Sequence, residues 1–127
     1  MANMYCEREQ VHLMSVQRAK EGVFSLLEVE KMCRMFQVLA EPMRLKIVLA
    51  LMNGEMCVGH LADACDGTVS GVSHQLRILR DNAIVRARRF GKNVEYSIAD
   101  GHVREMVSLA IAHLQCERGE NEEGLTY

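Results

Sequence analysis

Histidine, cysteine and carboxylate side chains gather near the end of the chain in a pattern that geometry can interpret. Asp100 and His102 open a stretch of helical periodicity that also carries His113, Cys116 and Glu117. On one helix the two histidines, eleven residues apart, share a face but stand about 16 Å apart along the axis. One ion cannot join both within a single chain, because zinc takes four ligands at about 2.0 to 2.3 Å. Two copies of the helix packed antiparallel about a two-fold axis would solve this. Asp100 and His102 of one copy would then meet His113 and Cys116 of the other, making two equivalent four-ligand sites across a homodimer. Cys116 lies at i+3 and Glu117 at i+4 from His113, so either residue can complete the set. Nitrogen and oxygen donors suit Zn2+ or Co2+, whereas thiolate favours Cd2+ or Pb2+. Taken singly, the same residues have ordinary uses: Asp100 as a helix cap and the histidines as polar surface.

A second donor set is Cys57-Val58-Gly59-His60, where the i, i+3 spacing puts thiolate and imidazole side by side on a helix. Two ligands do not make a site. Cys6 and His12 near the start of the chain could complete it by folding over, within the chain or onto a partner. The alternative is a half-buried cysteine and a surface histidine.

A third chemistry lies between these two sets. Val69, Val72, Leu76 and Leu79 recur at helical spacing, with Ser70, Ser73, His74, Arg77 and Arg80 on the other side and Gln75 among them. Gln and Arg bond base edges in the major groove, and Ser contacts phosphates or bases. The pattern therefore predicts a DNA-reading helix. His74 either touches DNA or positions Gln75 and Arg77.

The elements that hold these residues follow from local signals. Residues 1–15 are polar and mixed, which predicts a mobile arm. From Val16 to Ala40 the apolar residues Val23, Leu26, Leu27, Met32, Met35, Phe36 and Leu39 keep helical spacing, and the single proline, Pro42, closes that helix and opens the next. Leu45, Ile47, Val48, Leu49 and Leu51 form that second, short helix, and Asn53-Gly54 ends it. Cys57 to Cys65 reads as a third helix with Leu61 inward, and Thr68 can cap the basic helix. The period then changes to two. Ile84 to Phe90 and Val94 to Ile98 read as strands joined through Gly91-Lys92-Asn93, a hairpin whose Arg86, Arg88, Arg89 and Lys92 suit a phosphate-lying wing. After Asp100 the helical period returns through Val103, Met106, Val107, Ala110 and Leu114.

Composition sets limits on these readings. A chain of 127 residues, 49% hydrophobic, supports one core. The net charge of −2 argues against a non-specific nucleic-acid coat, so DNA binding must use a local patch. From Ser70 to Tyr96 six basic residues face two acidic ones, while Glu117, Glu120, Glu122 and Glu123 crowd the end. Five scattered cysteines, Cys6, Cys33, Cys57, Cys65 and Cys116, predict free thiols and a cytoplasmic location. No apolar run reaches the roughly 20 residues a bilayer span needs, so no membrane partner is expected. The expected architecture is mainly α with a β-hairpin: a dimeric winged helix-turn-helix over residues 16–117, after an arm at 1–15 and before a disordered acidic tail at 118–127.

Three blocks of the chain resemble the successive signatures of the ArsR/SmtB family of metal-responsive repressors: Phe36-Gln37-Val38-Leu39-Ala40-Glu41-Pro42-Met43-Arg44-Leu45, Glu55-Met56-Cys57-Val58-Gly59-His60-Leu61-Ala62 and Val72-Ser73-His74-Gln75-Leu76-Arg77. The resemblance runs from about Val23 to Glu117. Asp100-x-His102 with His113-x-x-Cys116 is similar to its zinc-sensing branch, although Cys116 stands where that branch usually has His or Glu. The resemblance implies a homodimer that holds operator DNA when metal-free and leaves it when zinc or a similar ion binds. Two alternatives differ in class: a thiol-based redox regulator using Cys6, Cys57 or Cys116, and a metal buffer whose basic patch is incidental. No Cys or Ser sits in a recognisable nucleophile motif, so no enzyme is expected.

Overall fold

The computed structural model describes residues 7–22 and 25–122, the last five as backbone alone. In order its elements are α1 (Glu9–Glu21), α2 (Leu26–Leu39), α3 (Pro42–Leu51), β1 (Met56–Cys57), α4 (Val58–Ala64), α5 (Val69–Asp81), β2 (Val85–Phe90), β3 (Asn93–Ile98) and α6 (Gly101–Glu122). Two compact units divide the chain, residues 1–37 and residues 38–127.

The single helix expected from Val16 to Ala40 is two helices, α1 and α2, of which α2 ends just inside the second unit. Gly22 stops α1, its N–H bonding back to Arg18 O at 3.0 Å, because glycine has little to gain from continuing a helix. Ser25 then starts α2. Its hydroxyl donates to Glu28 Oε2 at 2.8 Å and accepts from the Glu28 N–H at 3.3 Å, the Ser25 half of a Ser-x-x-Glu capping box, which the sequence reading above passed over. Much of the stretch expected as an arm is likewise helical: α1 begins at Glu9, with Glu9 in its first turn and Arg18 and Lys20 in its last, a charge order that favours a helix. Val23 lies outside the described residues.

The second unit holds the described core. Ile47, Val48 and Leu51 of α3, Leu61 of α4, Val72, Leu76 and Leu79 of α5, Ile84, Val85, Ile98, and Val103 and Val107 of α6 are all buried. Spacings of three and four put each helical set on one face, and those faces close on one another and on the sheet. Val69, read above with the α5 stripe, is instead 53% exposed in the helix's first turn. Beyond α5 the chain turns through a left-handed residue, Ala83 (φ 58°), with Ile84 N bonded to Leu79 O at 2.9 Å, a Schellman-type closure.

The sheet is three-stranded and antiparallel, in the order β1-β3-β2. The hairpin is as expected, except that its first strand begins at Val85 rather than Ile84 and that Asn93 already pairs with Phe90, leaving a two-residue turn at Gly91-Lys92 with Gly91 at φ 63°. The short strand β1 is additional. Met56 and Cys57 pair with Tyr96 and Glu95, so the expected Cys57-to-Cys65 helix begins one residue later, at Val58. The last helix is also longer than expected. It runs through residues 118–122, which the sequence placed in a disordered tail.

Glu41 caps α3 with both carboxylate oxygens, accepting from Arg44 N at 2.9 Å and Met43 N at 3.2 Å. Those N–H groups, aided by the Arg44 guanidinium, hold its pKa below the ordinary 4.5. A depressed folded-state pKa means stabilisation that is present above the unfolded value and lost as pH falls through the folded one. Glu41→Ala is expected to cost about 1 kcal/mol at neutral pH. That difference should shrink as denaturant melts are taken below pH 4.5, and a constant difference down to acid would argue against an ionised cap.

Candidate nucleic-acid interface and metal-ligand positions

Helix α5 starts where Thr68 Oγ1 accepts from the Gly71 N–H at 3.0 Å, the cap expected from sequence. With Val72, Leu76 and Leu79 buried, helical geometry points Ser70, His74 and Arg77 directly outward, with Ser73 and Arg80 on one flank and Gln75 on the other. All of these are exposed except Gln75, which is half-buried. Its position has a cause. Arg44 of α3 donates from Nε to Val38 O at 2.7 Å and from Nη1 to Gln75 Oε1 at 3.0 Å. The guanidinium thus ties the end of α2 to the middle of α5, a role for Arg44 that the sequence reading missed.

The hairpin's alternation sorts its basic residues into two groups. Val85, Ala87 and Arg89 share one face with Val94, Tyr96 and Ile98. Tyr96 lines a cleft with Ser73, Arg77 and Arg80, so this face looks toward α5. Arg86, Arg88 and Phe90 are on the reverse. Arg86 lines a cleft with Glu55, Asp100 and Arg104, while Arg88 pairs with Glu55 at 3.6 Å and lies 6.0 Å from the Phe90 ring centre. Lys92 is exposed in the turn. Arg89 therefore extends the basic surface of α5, Lys92 stands at the hairpin tip, and Arg88 belongs to another face. Arg89→Ala is expected to weaken DNA binding severalfold and lower the salt slope by about one, with Arg88→Ala doing less. Fluorescence anisotropy across a salt series measures both, and equal losses would contradict the assignment.

The donor residues of α6 fall into two pairs. Asp100 caps the helix through Oδ1, accepting from Val103 N at 3.0 Å, and the same oxygen lies 3.7 Å from His102 Nδ1. His113 Nε2 lies 3.8 Å from Glu117 Oε1, and Cys116 is exposed beside them. Cys57 Sγ and His60 Nδ1 form a third pair at 3.3 Å. His12 sits on α1 in the other unit, and Cys6 lies outside the described residues. Among the described residues of one chain, no three donors come together as a metal site. Cys65 can be set aside: it is buried, and burial pushes its thiol pKa up, which keeps it protonated. Arg104 of α6 donates to Met52 O at 3.1 Å, bracing the donor-bearing helix against the end of α3.

Residues 41–87 match the model of the bacterial regulatory proteins of the arsR family, a span from the α3 cap into the hairpin. A transcriptional repressor, the SmtB homolog of Synechocystis, is 44% identical over 110 residues, covering 87% of this chain and 83% of that protein. The chain belongs to the arsR family. Another relative, the cadmium resistance transcriptional regulatory protein CadC homolog of Staphylococcus aureus, is 32% identical across 89% of this chain and 93% of its own. The family's fold is met again in a homodimeric winged helix-turn-helix DNA-binding domain from Mycobacterium bovis. That domain is similar over 78% of this chain and 88% of its own length, with a TM-score of 0.64 and 28% identity. Membership in the arsR family makes the chain a transcriptional regulator with a winged helix-turn-helix. None of its described helices is long and apolar enough to cross a membrane.

Proposed function

We propose that this arsR-family regulator is a metal-sensing repressor: a homodimer that holds operator DNA when metal-free and releases it when zinc, or a similar divalent ion, binds between its α6 helices. The observation that carries the reading is the arrangement on α6. Two incomplete donor pairs stand on one face of α6, and Leu109, on that same face between them, is 71% exposed. An isolated apolar side chain on a surface needs no explanation, but one set between matched half-sites on the same face suits a second copy of the same helix. Asp100 and His102 of one subunit would hold the ion with His113 and either Cys116 or Glu117 of the other. The donor chemistry fits zinc, two imidazoles with carboxylate or thiolate. Cobalt would suit the same donors, and cadmium or lead would gain from the thiolate.

The ion would supply a fixed link between the two closing helices. Everything else in the response belongs to the chain. Arg104 joins α6 to the end of α3, and Arg44 joins α3 to α5, so a change at the α6 pair has a continuous packed route to the reading helices. The two α5 helices must match half-sites about one DNA turn apart, and a modest change in their spacing spoils that fit. By linkage, metal releases DNA only if it favours the form that binds DNA poorly. Cys57 and His60 make a further half-set, for which Cys6 and His12 are the proposed completing donors.

Titrating zinc into an operator complex tests the reading. Release at two ions per dimer is expected, and operator affinity unchanged after stoichiometric binding would contradict it.

A further inference from the structure

Arg44 and Gln75 together carry an inference about base specificity, which rests on the DNA-binding reading above. A guanidinium has only donors, so the Gln75 atom that faces Arg44 Nη1 at 3.0 Å must be the carboxamide oxygen. The second Arg44 bond, from Nε to Val38 O at 2.7 Å, fixes the guanidinium from behind. The two ends of a carboxamide diverge, so an oxygen held inward leaves the amino group outward. We infer that Arg44 is a positioning residue that makes Gln75 a donor-only reader of DNA.

The consequence is a different base preference from that of a free glutamine. Glutamine reads adenine by accepting from N6 while donating to N7, which requires its oxygen at the base edge. With that oxygen turned to Arg44, adenine loses one of its two bonds. Guanine offers O6 and N7, both acceptors, in the same groove. Gln75 should therefore favour guanine at one position of each half-site. Its half-buried place on the flank of α5 gives the amide less freedom to turn than the exposed His74 beside it has.

Selection of metal-free protein against a pool of randomised duplex DNA, followed by affinity measurements on single-base variants, tests this. The wild type should select guanine over adenine by about tenfold at one position per half-site, and Gln75→Ala should flatten that position alone. Gln75→Glu keeps an acceptor for Arg44 but presents oxygen outward, so its preference should move to cytosine, whose N4 donates. Arg44→Met, checked for folding by thermal melting, should admit adenine at the same position without changing the salt slope. The Gln75 variants decide the matter even if Arg44→Met fails to fold. Wild-type preference for adenine at the position that Gln75→Ala relaxes, or a selected motif untouched by both Gln75 variants, would overturn the inference while leaving DNA binding intact. No selected motif at all would overturn the DNA-binding reading as well.

Discussion

His113→Ala is expected to leave metal-free operator affinity within about twofold of wild type, since the residue is exposed on α6 and lies outside the reading helix and wing. The same variant should lose the zinc response. Coupling between two sites on one protein commonly amounts to about 1–3 kcal/mol, a change of about 5- to 150-fold in affinity. Wild-type protein should therefore bind operator that much more weakly with zinc than without, and His113→Ala should show one affinity in both conditions. Anisotropy titrations with and without zinc give all four numbers. A variant that still releases DNA on adding zinc would place the responding site elsewhere, with Cys57 and His60 the next donors to remove.

Leu79→Ala should give the largest loss of stability. Its side chain is 0% exposed on the inner face of α5, and removing it deletes buried methyl groups and leaves a cavity. Such truncations cost about 2–5 kcal/mol, set against a total of about 5–15 for a typical domain. Val69→Ala is the matched control. The sequence places Val69 on the same stripe, but at 53% exposure it should cost no more than about 0.5 kcal/mol. Urea denaturation of the two variants separates them, and equal costs would mean that α5 is seated differently.

The sequence was most legible where one signal fixes both type and place. Thr68 before the apolar-basic helix, Gly91-Lys92-Asn93 between alternating runs, and Asp100 before the last helix each announced an element that formed, the turn being one residue shorter than read. Where two signals competed, the weaker was missed. Apolar spacing ran continuously from Val16 to Leu39 and hid the Gly22 stop and the Ser25–Glu28 box, both of which are written in the residues. The strand β1 is only two residues long, and its pairing depends on β3, which is forty residues away. No local pattern reports that.

The site divides in the same way. Which residues bear chemistry was readable from type and spacing, but which of them face one another was not. Arg88 and Arg89 are neighbours in sequence and equivalent in composition, yet strand alternation sends one to Glu55 and the other toward α5. Arg44 was passed over because a lone arginine after a proline has no distinctive pattern. Its partners, Val38 O and Gln75, are brought to it only by the folded arrangement of α2, α3 and α5.

The central claim is that an ion is shared between subunits, and complementation between two defective chains tests it most directly. His102→Ala homodimers lack one half of both sites, and His113→Ala homodimers lack the other. In a mixed dimer one site has both defects and the other is intact. Cobalt absorption should be absent for each variant alone and should return, after mixing and exchange, to about a quarter of the wild-type intensity per chain. Absorption that stays absent on mixing, or that survives in either variant alone, would contradict sharing of the ion across the dimer.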